Sequence, residues 1–373
     1  MRLPEPDPAR LDPAPGAPVM TAVVTTGHGG CDRLALREVR RPEPGPGEVL
    51  LRVLAAGVNN TEINTRLGWY SAAVTGGTEA TAGAAPVARD DGGWNRPTPF
   101  PFIQGTDCCG RIAAVGAGVD PGRIGERVIV RASMALETGA GVENVWLGSD
   151  IDGAFAQYVA VPAAEAFTVD SAWSDAELAA IPCAYGTAEN MLARAGVGEE
   201  SRVLIAGASG GVGAAAVQLA RLRGAEVIAE AGAAKRDAVA ALGAAQVIDR
   251  GADPVAALGA ESVDVVVDNV GGAGFVRRLE ALRRRGAYVS SGAIAGPVVS
   301  LDMRVFYLKD LRLIGCTAWD APVFPALIRW IEADAFRPPV AGAFPLAEIA
   351  EVQRRFLDKR HVGKLVLIPP DTV

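Results

Sequence analysis

RVLIAGASGGVGAAAVQLA, residues 202–220, decides the fold. Val203–Ile205 make a short apolar strand. Gly207, Gly210, Gly211 and Gly213 then punctuate a tight turn, and an alanine-rich run continues as a helix. A strand, a glycine turn and a helix N-terminus together let the backbone approach a pyrophosphate, with free N–H groups and the positive end of the helix dipole aimed at it. Ala208 stands where the first glycine of GxGxxG is usual, so the fit is AxGxxG. Ser209, Gly210, Gly211, Val212 and Gly213 are the expected contacts to a dinucleotide.

The pattern on either side supports that reading. EVIAEAG (226–232), QVIDR (246–250), VDVVVDNV (263–270), AYVSSGA (287–293) and LRLIGCT (311–317) are short apolar strands. They alternate with helical segments such as KRDAVAALGA (235–244) and FVRRLEALRRRG (275–286). Apolar strands alternating with amphipathic helices imply an α/β doubly wound parallel sheet covered on both faces. The strand after the glycine turn's helix selects the nucleotide. An NAD site places an acid near its end, but that position is Ala231, and Glu230, one residue early, points to another face. Lys235, Arg236 and Arg250 are cations placed to hold a 2′-phosphate. NADP, as NADPH, is the expected cofactor, unless Glu230 reaches the ribose.

Upstream the texture differs. EVLLRVLAAGV (48–58), RIAAVG (111–116) and RVIVRA (127–132) are strands bounded by Gly and Pro, the mark of a mostly β domain. That domain spans 20–170 and resumes at 319–373 with KLVLIP. The nucleotide domain spans 171–318. Residues 1–19 carry six prolines and read as a disordered tail. Residues 72–99 are a long Gly/Ala/Pro-rich insertion, expected to overhang the cleft mouth, with Trp69, Trp94 and Phe100 as an apolar wall.

The chain has 373 residues and a net charge of −7, which suits two globular domains and argues against nucleic-acid or anionic-membrane partners. No apolar run approaches the ~20 residues of a membrane span, and no signal peptide is visible. Five scattered cysteines without a CxxC read as a reduced, cytoplasmic protein. Only two histidines are present and the cysteines do not cluster, so a structural zinc lobe, which needs four clustered thiolate or imidazole ligands, is excluded.

Residues 20–373 resemble the medium-chain dehydrogenase/reductase superfamily. The matching pieces, in the superfamily's order, are PEPGPGEVLLRVLAAGVN, GTDCCGRIAAVGAGV, GAFAQYVAVPA, GASGGVG, DVVVDNVGG and HVGKLVLIP. The resemblance implies a GroES-like β domain plus a Rossmann domain, an active site in the cleft between them, a small-molecule substrate, and a homodimer or homotetramer. Zinc members carry Cys after the AAGx turn and GHE in the next segment. This chain has Asn59 and Gly105-Thr106-Asp107, and only Cys183 remains at a ligand position. No metal is expected, since a catalytic zinc wants three protein ligands.

AGVNNTE resembles the AGVNPxD segment of quinone oxidoreductases and enoyl reductases, with Asn60 and Glu62 replacing the usual Pro and Asp. INTRLGWY matches the INxxxGxY of mitochondrial-type enoyl-thioester reductases, which implies Tyr70 as donor to the substrate. Asn60, Glu62 and Tyr70 are therefore the catalytic candidates. Thr187 falls where the family contacts the nicotinamide side. Val270, Ser291, Gly292, Ala293, Cys316 and Thr317 lie at strand ends, where open sheets bind ligands. Lys364 is placed to reach cofactor phosphate. The implied activity is zinc-independent, NADPH-dependent reduction of an activated C=C or a quinone. The alternative is an alcohol dehydrogenase with an atypical zinc site.

Overall fold

The computed structural model describes residues 7–84, 91–138 and 141–371. Six parallel strands form one sheet in the order Gln246–Asp249, Glu226–Ala231, Arg202–Ile205, Val263–Val267, Leu282–Ser290 and Arg312–Gly315. Chain order reverses between Arg202–Ile205 and Val263–Val267, which opens a crevice at the strands' carboxyl ends. Alternate residues feed two cores. Val203, Ile205, Val265 and Val267 face one, while Leu204, Ile228 and Val266 face the other. A strand buried on both sides has no polar face, so the sequence shows apolar runs without alternation.

The second unit is built on Glu48–Gly57, which pairs antiparallel with Cys109–Val115, Tyr158–Pro162 and the C-terminal strand Lys364–Ile368. Its core gathers Val49, Leu51, Ile112, Val128, Leu365 and Leu367. A hairpin of Ser133–Thr138 and Gly141–Trp146 stands apart from that sheet. It brings Trp146 toward the crevice.

Three expectations are corrected here. The first concerns the tail, of which residues 1–6 lie outside the described residues. Residues 7–19 do not form a detached tail: Leu11 is buried in the β core, and its carbonyl accepts from the Arg40 N–H. Arg10 makes a two-pronged pair with Asp152 at 2.6 and 2.7 Å. One leucine and one arginine suffice to dock a proline-rich segment whose conformational entropy is already low. The first strand accordingly starts at Val19.

Second, the helix expected over 275–286 stops at Ala281, and Leu282–Ser290 is strand. The Lys309 ammonium collects the carbonyls of Glu280 and Leu282 at that helix end, as a cation near a C-terminus does.

Third, residues 319–373 are not wholly in the β domain as expected: the helix Val323–Glu332 buries Phe324, Leu327 and Ile331 in the core that holds one face of the parallel sheet. From Val340 the chain rejoins the β domain, where Val340–Pro345 pairs with Lys364–Ile368. Among the described residues no helix is long and apolar enough to cross a membrane.

Candidate functional site in the interdomain cleft

The glycine turn has the backbone that a dinucleotide needs. Gly207 has φ +65°, open to glycine and strained for other residues. A Cβ on Gly213 would stand 2.2 Å from the Gly207 carbonyl oxygen, so only glycine lets the helix start against the strand. Gly210 is the N-cap of the helix Gly211–Leu222, and no side chain caps its first-turn N–H groups. They are left for an anion. Val58, Asn60, Gly210, Val212, Val270 and Lys359 line the cavity in front of them. These residues fit a dinucleotide's pyrophosphate.

Beyond the turn, Glu230 does not face that cavity. It is buried and holds Arg278, with 2.6 Å between Oε2 and the guanidinium, and Arg278 also pairs with Asp268 at 2.9 Å. Lys235 comes within 3.4 Å of the Ser209 hydroxyl and donates to the Lys359 carbonyl. Burial and the neighbouring Arg250 push the Lys235 ammonium below its ordinary value. Arg236 turns away from this cluster, its guanidinium donating to the Val247 carbonyl at 2.6 Å. As a phosphate ligand Arg236 is therefore corrected: its charge is engaged on the adjacent strand.

The floor of the cleft is a buried polar knot. Asp107 accepts from the Cys183 N–H at 2.6 Å, from Asn59 Nδ2 at 2.9 Å and from Lys364 Nζ at 2.7 Å. Lys364 Nζ also donates to the Val58 carbonyl at 3.0 Å and to Asn59 Oδ1. All three ammonium protons are thus used internally, and the expectation that Lys364 reaches a cofactor phosphate is corrected. Its stem instead packs on Gly211, where a Cβ would lie 2.9 Å from Lys364 Cδ.

Glu62 is likewise corrected. It is fully buried at the third position of the helix Asn60–Leu67 and closes a capping box with Asn59. Its oxygens accept from the Asn59 and Thr106 N–H groups, both at 2.8 Å. Burial raises its carboxyl above the usual range, against the Thr106 N–H bond and the nearby Lys364 charge. It shapes the turn and lines neither cavity.

A zinc ion does not fit this floor. The three ligand positions hold an amide, a threonine and Cys183, and both Asp107 oxygens already accept hydrogen bonds. Among the described residues no group of three His, Cys, Asp or Glu side chains is placed to hold a metal. Burial raises the Cys183 thiol, with the nearby Asp107 charge adding to the effect.

Next to the glycine turn lies a second cavity, walled by aromatic rings. Tyr70 meets Trp69 and Trp94 edge-on at 5.5 and 4.6 Å between ring centroids, Trp94 meets Trp146 at 5.1 Å, and Trp146 meets Trp319 at 5.5 Å. Trp319 lies flat against Gly186, where a Cβ would stand 2.3 Å from its ring. Burial pushes the Tyr70 phenol well up, opposed by hydrogen bonds from Asn64 and Thr61. It stays protonated, a donor at any working pH.

Thr187, Val212, Ser291, Gly292, Ala293, Cys316 and Thr317 line this cavity together with Asn60 and Tyr70, and Val270 lines the neighbouring one. Phe100 is not on the wall; it packs against His28. Part of the insertion, residues 85–90, lies outside the described residues. The residues that the sequence did not reveal are Asn64, Thr78, Trp146 and Lys359. Trp146 sits on an unforeseen hairpin, and Lys359 follows a surface helix with nothing in its neighbours to mark it.

Two family models match the chain. One, for the alcohol dehydrogenase GroES-like domain, covers residues 45–171, and the other, for the zinc-binding dehydrogenase, covers 211–333. A Sinorhizobium meliloti structure provisionally described as an alcohol dehydrogenase is 44% identical, with a TM-score of 0.83 over 94% of this chain and 97% of its own. The acryloyl-coenzyme A reductase of Metallosphaera sedula is 28% identical over 93% of this chain and 99% of its own length. The quinone oxidoreductase of Coxiella burnetii is 25% identical, with a TM-score of 0.74 over 94% of this chain and 99% of its own.

Proposed function

The chain is an oxidoreductase of the medium-chain dehydrogenase/reductase superfamily, in its quinone oxidoreductase and enoyl reductase-like branch, and from that membership we propose that it is a zinc-independent, NADPH-dependent reductase of an activated carbon–carbon double bond (an enone or enoyl thioester) or a quinone. The observation that carries the reading is the cleft floor. Asn59, Asp107 and Lys364 are bonded to one another where a zinc enzyme needs open ligands. The preference for NADPH rests on Glu230 being held by Arg278, with Lys235 near Ser209 and Arg250 near Lys235.

When bound, the nicotinamide would supply a hydride to the double bond, and a proton from Tyr70 or water would complete the saturation. The chain supplies the rest. Tyr70, kept protonated by burial, donates a hydrogen bond to the substrate's carbonyl oxygen, where negative charge gathers during reduction. Trp69, Trp94 and Trp146 exclude water and hold a flat acceptor. The first-turn N–H groups of Gly211–Leu222 bind the pyrophosphate.

The test is NADPH oxidation by metal-stripped protein with a panel of enones, enoyl thioesters and quinones. Turnover with an alkene saturated at Cα–Cβ, or with a quinone reduced to its hydroquinone, supports the reading. Activity on alcohols or aldehydes that appears only when zinc is added refutes it and favours an alcohol dehydrogenase.

A second copy of the chain is the proposed partner. Arg312–Gly315 is an edge strand, and Leu313, Met303, Tyr307 and Leu308 beside it are exposed apolar residues. Light scattering tests this: the native chain is expected as a dimer or larger, and Leu313→Lys with Leu308→Asp as a monomer.

A further inference from the structure

The insertion after Tyr70 does more than cover the cleft. Its helix Thr78–Ala82 starts at a residue whose side chain is buried. The backbone there is tied to the opposite domain, where the Thr78 N–H donates to the Ile294 carbonyl at 2.9 Å. At Gly77 a Cβ would stand 2.5 Å from that same oxygen, so the strap sits flush on the Ser291–Gly296 loop.

That hydroxyl joins two asparagines of the helix Asn60–Leu67. Asn60 Nδ2 donates to Thr78 Oγ1 at 3.0 Å, and Thr78 Oγ1 donates to Asn64 Oδ1 at 3.0 Å. A threonine hydroxyl has one proton, so this arrangement fixes the direction of every neighbouring bond. Asn64, accepting through its carbonyl, keeps its NH₂ to donate on the cavity wall that it shares with Tyr70. At the other end, Asn60 spends its NH₂ on Thr78 and is left with Oδ1 buried and without a partner, on a residue lining both cavities.

We propose that Thr78 is a positioning residue which polarises the chain Asn60–Thr78–Asn64–Tyr70. It leaves a donor, the Tyr70 hydroxyl, for the carbonyl oxygen of the substrate. It also leaves an acceptor, Asn60 Oδ1, for an N–H or O–H of the nicotinamide half of the cofactor. The Tyr70 arm rests on the function proposed above; the Asn60 arm rests only on a dinucleotide occupying the glycine-turn cavity.

Thr78→Val keeps the shape and removes both hydrogen bonds, whereas Thr78→Ser keeps the hydroxyl. With a reduced acceptor identified, the valine variant is expected to lose about 10- to 100-fold in kcat, with KM for the acceptor changed by less than about threefold. It is also expected to bind NADPH about tenfold more weakly by quenching of protein fluorescence, a readout that needs no turnover. The serine variant is expected to recover both within about threefold. Thr78→Ala replaces the valine variant should that one fail to fold.

A valine variant with native kcat and native NADPH affinity overturns the proposal. So does a serine variant as impaired as valine, because the methyl group and not the hydroxyl would then matter. Tyr70→Phe separates the two ideas. If it is fully active, the reading of Tyr70 as donor fails, while the weakened NADPH binding of Thr78→Val still stands or falls by itself.

Discussion

The Glu230 carboxylate lies 2.6 Å from the Arg278 guanidinium, on the side of its strand facing away from the glycine turn. Arg278 comes from the helix Phe275–Ala281 and also holds Asp268 at 2.9 Å. An acid bound in this way cannot accept from a ribose. NADPH is therefore expected to bind at least about tenfold tighter than NADH. Lys235→Ala and Arg250→Ala should each weaken NADPH by about tenfold, the worth of one charge-assisted hydrogen bond, and leave NADH unchanged. Titration of both nucleotides by fluorescence checks this, and equal losses for the two would remove the 2′-phosphate assignment.

The same pair is a stability element. Glu230→Gln leaves Arg278 with half its compensation in a buried site, and breaking a buried pair costs about 3–5 kcal/mol. Chemical denaturation should show a loss of that order, softened by the remaining Asp268, with the NADPH-to-NADH preference unaltered. A switch of preference without a loss of stability would mean that Glu230 does visit the nucleotide.

Tyr70→Phe deletes one oxygen from a ring packed by Trp69 and Trp94. The wall is retained, so KM for the acceptor should change little while kcat falls by about 10²–10⁴, the usual range for a lost acid or donor. Steady-state kinetics with an enone checks the split. A rise in KM with kcat unchanged would make Tyr70 a packing residue.

Much of this was legible in the sequence, for reasons that the residues show. The glycine turn and the parallel strands are local: their meaning depends on neighbours a few positions away. The polarity of Glu230 was also legible, because strand alternation turned it from the nucleotide before any partner for it was known. Lys364 was misread because its partners Val58, Asn59 and Asp107 lie roughly 250–300 positions upstream. Glu62 looked catalytic by its place in a motif, yet one of its oxygens caps its own helix and the other accepts from the distant Thr106 N–H. Thr78 had no signal at all, since its role depends on a strap laid across the opposite domain.

Lys364 and Asp107 supply a prediction about metal. Lys364→Met strands a buried carboxylate and should lower stability by about 3–5 kcal/mol. Chelators should leave the native enzyme's rate unchanged, and elemental analysis of protein purified without added metal should find far less than one zinc per chain. Stoichiometric zinc, lost in Asp107→Asn, would overturn the account of the cleft floor.

Lys359 sits on the wall of the dinucleotide cavity, 4.0 Å above the Phe356 ring, with φ +52°. Burial, with Lys235 adding to it and Glu79 opposing, brings its ammonium from 10.5 down to about 8. The charged form is thus disfavoured in the free fold. Between about pH 8 and 10.5 the unfolded chain holds a proton that the folded chain lacks, so this group makes the free protein more stable as pH rises through that window. An anionic phosphate beside Lys359 reverses the preference, since it favours the ammonium. NADPH binding above about pH 8 should then take up a proton, and Kd should rise by up to about tenfold per pH unit. Calorimetry in buffers of different ionisation heat measures that uptake directly. Lys359→Gln is expected to abolish the uptake and flatten the pH dependence, whereas an unchanged profile in that variant would assign the titration to another group.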